Sequence, residues 1–377
     1  MKYLLILAGK LWPTVKNIYC KKSNKSSIYF FLEKLELLNI DEFKFKKELG
    51  GESALSSLYT CGDKKVVFKF LISPRNDIEL EKFKLEYSVL KENRANSIRG
   101  NASLFYGPHT SYPLPTIKYP LTQKFSGLVS FFGYEYEEGT LLSDLDTAQY
   151  SLEDKIKLLH RLASGLSYFN QTGYSHRDLH PENILLLDGH TMNQFDNKIE
   201  DDDPRIKFLD MGSCQSNYGA GNTFPYIKRD ADEFLVYTES NKRLYSSFTS
   251  MPPDFLEKGT NTLNYDTWSF GVYAYHLIFG TLPFTINGIE DVTNLRHIKG
   301  KESDYSKNMA SLHVGLRLIL NHLLSADGNE RPSIDSIVRL FYWLVYRKED
   351  FQKVEFIQMV IHNNGFDPYH DPLDDIY

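Results

Sequence analysis

One short stretch concentrates side chains able to move a proton and hold a cation. Residues 174–186 read Tyr174-Ser175-His176-Arg177-Asp178-Leu179-His180-Pro181-Glu182-Asn183-Ile184-Leu185-Leu186, with Asp178 five residues before Asn183. A carboxylate in that position can accept a proton from a hydroxyl, and an amide oxygen can ligate a hard cation. The apolar run after Asn183 can anchor the loop in a strand. A chance polar turn before a strand would look the same locally, so the segment needs support from elsewhere in the chain. A second carboxylate, Asp210, follows another short apolar run in Ile206-Lys207-Phe208-Leu209-Asp210-Met211-Gly212. Taken alone, Asp-x-Gly is more often a turn than a ligand.

These groups need elements to position them. Strand-like runs cover 43–49, 58–61 and 66–71, the last after the turn Gly62-Asp63-Lys64. Residues 76–93 read as a helix, with Leu80, Phe83, Tyr87 and Leu90 on one stripe. The stretch 92–124 carries four prolines and reads as loop, and 127–136 returns to strand. Beyond Gly139 the pattern turns helical, over 152–171, 267–279, 312–324 and 334–346. A β-rich half followed by a helix-rich half predicts an α+β chain. The expected division is an N-terminal extension over 1–42, a β-rich unit over 43–138, a helical unit over 139–346 and a helix with an acidic tail over 347–377.

Composition narrows the class. At 377 residues, 42% apolar and 24% charged, the chain has material for a packed core in two or three units. A net charge of −6 gives no global basic field, so no nucleic-acid partner is expected. Cys20, Cys61 and Cys214 form neither a Cys-x-x-Cys pair nor a zinc-ligand cluster, and reduced thiols in a cytoplasm are expected. The apolar start, Tyr3 to Gly9, is short for a secretory signal, and no membrane span is expected.

The segment 176–183 matches H-R-D-L-x-x-x-N and resembles the catalytic loop of eukaryotic-type protein kinases. Further motifs support that resemblance. Asp210-Met211-Gly212 is similar to D-F-G, Val66-Val67-Phe68-Lys69 to V-A-I-K, and Tyr134-Glu135-Tyr136-Glu137-Glu138-Gly139 to the gatekeeper and hinge. Ser250-Met251-Pro252-Pro253-Asp254 resembles the A-P-E end of the activation segment. Asp266-Thr267-Trp268-Ser269-Phe270-Gly271 and Arg331-Pro332-Ser333 resemble two later motifs of the helical lobe. The likeness extends over about residues 43–346.

What the resemblance implies is a two-lobed kinase-like fold that uses ATP and Mg2+ on a protein substrate. Asp178 would be the catalytic carboxylate, with Asn183 and Asp210 as metal ligands. Lys69 would hold the phosphates, fixed by a helix glutamate. Among Glu79, Glu81 and Glu86, the choice falls on Glu86, which shares a face with Leu90. Gly50 and Gly51 would open a glycine-rich loop whose later glycines are replaced, with Ser53, Ser56 or Ser57 left to face phosphates. Tyr134 would be a bulky gatekeeper, and the Glu135 carbonyl and Glu137 amide would meet adenine. An Asp254–Arg331 ion pair is expected. The tyrosine-kinase form of the catalytic loop is absent, which points to serine or threonine acceptors. The 44 positions from Asp210 to Asp254 carry many hydroxyls, so autophosphorylation is expected, with Arg177 available to pair with the phosphate.

His180 departs from the family, which usually has lysine there. An imidazole could donate to a phosphate or a metal-bound water, or simply pack in the loop. Asp-Leu-His-Pro-x-Asn is also similar to small-molecule phosphotransferases of the aminoglycoside and choline kinase type. The poor glycine loop leaves a pseudokinase-like binding module as a third reading. An insertion near 188–204 ends in Glu200-Asp201-Asp202-Asp203, most simply a solvated hairpin tip. Oligomeric state is open.

Overall fold

The computed structural model describes residues 44–50, 54–72, 77–98, 117–123, 129–187, 206–216, 250–255, 264–284 and 303–346. The extension over 1–42, Gly51 and Ser53, the insertion over 188–204, the hydroxyls from Thr223 to Thr249 and the tail over 347–377 lie outside the described residues. The chain divides into two compact units, the first ending at Glu138 and the second taking up at Gly139.

In the first unit β1 (Lys44–Gly50), β2 (Leu55–Cys61), β3 (Lys64–Ile72), β4 (Ile117–Gln123) and β5 (Val129–Glu135) form one antiparallel sheet in the order β1-β2-β3-β5-β4. Gly62, with φ +57°, makes the tight turn between β2 and β3. Alternation sorts the side chains of β3 between the two faces. Phe68 and Phe70 join Tyr59 and Phe131 in an aromatic cluster, Tyr59 meeting Phe68 edge-on at 5.4 Å between centroids. Lys69 points the other way, beside Phe132, its cross-strand partner. That face meets α1 (Asp77–Ile98), whose Phe83 ring lies 5.0 Å from that of Phe132. Phe83, Glu86 and Leu90 follow helical spacing and are all buried, so the stripe that packs the helix also carries a carboxylate to the lysine.

The stretch 92–124 is not simply loop. The helix continues to Ile98, and 117–123 is the edge strand β4. Pro120 hid it: proline lacks an N–H and suits only a sheet edge. The ladder is irregular there, its register shifting on both sides of Tyr119.

In the second unit β6 (Gly139–Leu141), β8 (Ile184–Leu187) and β9 (Ile206–Phe208) pair antiparallel in the order β6-β8-β9. The two-residue strands β7 (Tyr174–Ser175) and β10 (Gln215–Ser216) pair with each other. A Cβ on Gly139 would stand 2.2 Å from the Leu186 carbonyl oxygen, so the β6–β8 approach requires glycine. The helices are α2 (Leu152–Gln171), α3 (Tyr265–Phe279), α4 (Ser303–Ser311), α5 (Val314–Leu323) and α6 (Ile334–Tyr346). Ser151 caps α2, its hydroxyl accepting from the Asp154 amide at 3.1 Å. A buried stripe on α2, including Leu159, Leu162, Leu166 and Phe169, faces the interior. Helix α3 is buried almost throughout, and Trp268 stacks on Phe284 at 5.5 Å. None of the helices among the described residues is long and apolar enough to cross a membrane.

Between α2 and α6, the His160 ring lies 6.0 Å from that of Tyr342 and 6.2 Å from that of Tyr346. Desolvation, with a smaller push from the Arg161 cation, lowers its pKa to about 4. The folded chain therefore binds fewer protons than the unfolded chain between about pH 4 and 6.5. Stability is fully present above pH 6.5 and falls as pH drops toward 4, by at most about 3 kcal/mol from this residue. Urea midpoints at pH 7.5 and 4.5 should show a smaller acid loss for His160→Phe than for the wild type. Equal losses would remove His160 as a source.

Candidate active site

Two sets of polar side chains are assembled, one in each unit. In the first, Lys69 Nζ lies 2.6 Å from Glu86 Oε2, with both side chains largely shielded. The side chains of Glu79 and Glu81 lie outside the described residues. Gly50 closes β1 opposite Ser56. Tyr134 of β5 pairs with Val67 of β3, Glu135 ends β5, and the Tyr136 amide donates to the Lys65 carbonyl at 3.0 Å. Glu137 follows in the stretch leading to Glu138, which forms an ion pair with Lys65.

The second set is built around the turn after β7. The Asp266 carboxylate, buried in the first turn of α3, accepts from the His176 amide at 2.7 Å and the Arg177 amide at 2.8 Å. That grip holds Arg177 in the left-handed region at φ +62°, a conformation costly for a side chain larger than glycine. The Arg177 guanidinium lies 5.3 Å from the ring centroids of both Phe255 and Tyr265, a cation–π arrangement. This is where the structure places the arginine that the sequence offered to a phosphate.

His176 joins the two carboxylate-bearing segments. The Asp178 amide donates to its Nδ1 at 3.3 Å, so the ring proton sits on Nε2, which donates to the Leu209 carbonyl at 3.0 Å. Burial pushes the His176 pKa down, which keeps this neutral tautomer. Leu209 is held from its other side as well, its amide donating to the Asn183 carbonyl at 2.8 Å. Asp210, the next residue, sits at φ +59° and ψ +71°. A non-glycine residue there costs about 1–3 kcal/mol and persists where its neighbours fix it. Asp178, Asn183 and Asp210 thus share one hydrogen-bonded frame, although 27 positions separate the last two.

Asn183 Nδ2 donates to the Asp178 carbonyl at 2.9 Å and lies 2.9 Å from His180 Nε2. His180 Nε2 is 3.9 Å from Asp178 Oδ1. Among the described residues no three His, Cys, Asp or Glu side chains gather into a cation cage. Magnesium does not require one, since it commonly takes one or two carboxylates and completes its shell with water and substrate phosphates. The amide oxygen of Asn183 and the carboxylate of Asp210 are donors of the right hardness.

The expected ion pair is present: Arg331 donates to Asp254 Oδ1 at 2.8 Å, and both side chains are fully buried. Asp254 Oδ2 also accepts from the Gly328 amide, and Arg331 donates to the Ser325 carbonyl. Thr267 and Ser269 tie α3 to the Pro332 and Ser250 carbonyls. The sequence marked the motif around Asp266 but not its work as the clamp on 176–177. An acid in the first turn of an otherwise apolar helix was the available signal.

The sequence model of the protein kinase domain matches residues 117–343, more than half of the chain. The chain belongs to the protein kinase family. The matched stretch of this kinase domain contains Asp178, Asn183 and Asp210, while Lys69 and Glu86 precede it. The domain is 28% identical over 185 residues to a calcium and calcium/calmodulin-dependent serine/threonine-protein kinase of Medicago truncatula, covering 49% of this chain and 30% of that protein. An Aurora kinase of Schizosaccharomyces pombe is 24% identical over 329 residues, covering 84% of this chain and 75% of that protein. The serine/threonine-protein kinase H1 homolog of Danio rerio is 26% identical over 200 residues, covering 52% and 40%. The kinase chain therefore spans under a third of the length of the Medicago relative. An antiparallel sheet unit followed by a mainly helical one is the α+β architecture of this family.

Proposed function

We propose that the chain is a serine/threonine protein kinase that transfers the γ-phosphate of Mg-ATP to hydroxyls of protein substrates, its own included. The observation that carries this reading is the frame joining Asp178, Asn183 and Asp210 through His176 and Leu209. Asp178 orients the acceptor hydroxyl and takes its proton, a role open to a carboxylate whose backbone is held on both sides. Asn183 and Asp210 hold the magnesium, which when bound neutralises charge on the phosphates. Lys69, paired with Glu86, supplies a cation to the nucleotide phosphates. The serine/threonine naming of the relatives supports the acceptor class.

Purified chain incubated with Mg-ATP and a mixed protein substrate, followed by phosphosite mapping, tests this. Phosphoserine and phosphothreonine are expected on substrate and on the chain itself. ATP consumption with small hydroxylated acceptors alone would replace this reading with a small-molecule phosphotransferase. Absence of ATP binding would leave a scaffold. Lys69→Met should lower kcat/KM by about 10²-fold or more, as loss of one preorganised charge does at such sites. An unchanged kcat/KM would remove Lys69 from the machinery.

A further inference from the structure

His180 occupies a position where the family usually has lysine, and its geometry gives it a different task. The Asn183 amide nitrogen stands between two acceptors, 2.9 Å from the Asp178 carbonyl oxygen and 2.9 Å from His180 Nε2. A carbonyl oxygen only accepts, so it decides which end of the amide faces it: the nitrogen, with its two protons. One proton goes to that carbonyl and the other to His180. Nε2 is then the lone-pair nitrogen of a neutral ring whose proton sits on Nδ1. A proton on Nε2 would set donor against donor. The turn that brings the two side chains together is itself closed, the Asn183 amide donating to the His180 carbonyl at 2.9 Å.

We propose that His180 is a positioning residue for the metal ligand: its Nε2 accepts the second amide proton of Asn183, leaving Oδ1 as the ligating atom. It acts through Asn183 and not on the phosphate, because the nitrogen nearest the catalytic carboxylate carries no proton to give. A lysine has three donors and no acceptor, so it cannot replace this contact. This inference rests on the kinase reading above, since it needs Asn183 to be a ligand.

Substitutions that separate accepting from donating test it. Gln at this position keeps an acceptor oxygen, Lys supplies a cation and no acceptor, and Ala supplies neither. The probe is Mn2+, titrated by electron paramagnetic resonance into the full chain with a non-hydrolysable ATP analogue. Phosphate transfer is measured alongside, split into kcat and KM for ATP, with melting midpoints as a check on folding. His180→Ala and His180→Lys are expected to weaken Mn2+ binding about tenfold or more, as loss of a partner behind a metal ligand does. His180→Gln should stay within about threefold of wild type, a margin small beside that loss. Recovery by Lys with failure of Gln would overturn the proposal in favour of a donor acting on phosphate. Wild-type affinity in all three variants would overturn it outright, with the kinase reading intact. If the wild type neither binds Mn2+ with the nucleotide analogue nor transfers phosphate, both fall together.

Discussion

Replacing Asp178 by asparagine is expected to lower the rate of phosphate transfer by about 10²–10⁴-fold, the range carried by a positioned general base. The change should leave the fold untouched, for a local reason. The Asp178 backbone is fixed by its own amide and carbonyl, which engage His176 Nδ1 and Asn183 Nδ2. Neither bond uses the carboxylate, and asparagine keeps its shape. On the proposed reading, what would be lost is the carboxylate that takes the proton and its negative charge. Single-turnover transfer compared with thermal melting gives the result. A large loss of rate with an unchanged midpoint is expected, and near-wild-type transfer would exclude Asp178 as the base.

Breaking the Asp254–Arg331 pair should produce the largest loss of stability. Both side chains are out of contact with solvent, and each partner also serves a backbone group, Gly328 N–H for the acid and the Ser325 carbonyl for the arginine. Removing one partner leaves the other charge buried and uncompensated, at a cost of about 3–5 kcal/mol. That is a large share of the stability of an ordinary domain, about 5–15 kcal/mol. Asp254→Ala and Arg331→Met are each expected to shift urea unfolding of the helical unit strongly. The double variant should be far less destabilised than the sum, because it strands no charge. Additive effects would mean that the pair contributes no coupling.

The sequence was readable where one local pattern decided the outcome. The stripe on 152–171 gave α2 to the residue, and the run over 334–346 gave α6, because each buries one face against a core. The choice of Glu86 followed from its face, and the same face packs Phe83 and Leu90 in the structure. It was unreadable where a distant partner decided. Strand β4 exists because β5 offers it a ladder, and Pro120 conceals it in the sequence. The bond between His180 and Asn183 depends on amide orientation, and the cation–π site of Arg177 depends on Phe255 and Tyr265, 78 and 88 positions away. Residue identity alone does not encode either.

The carboxylate of Asp266 uses both oxygens on two successive amides, and its helix is buried almost throughout. The turn carrying Asp178 is thereby made an extension of the helix core. Its backbone entropy is given up when the chain folds and does not have to be given up again at each turnover. Dipoles so immobilised lose no energy to reorientation as charge develops on a reacting group. A loop in name, 176–183 should respond to substrate as rigidly as the helix behind it.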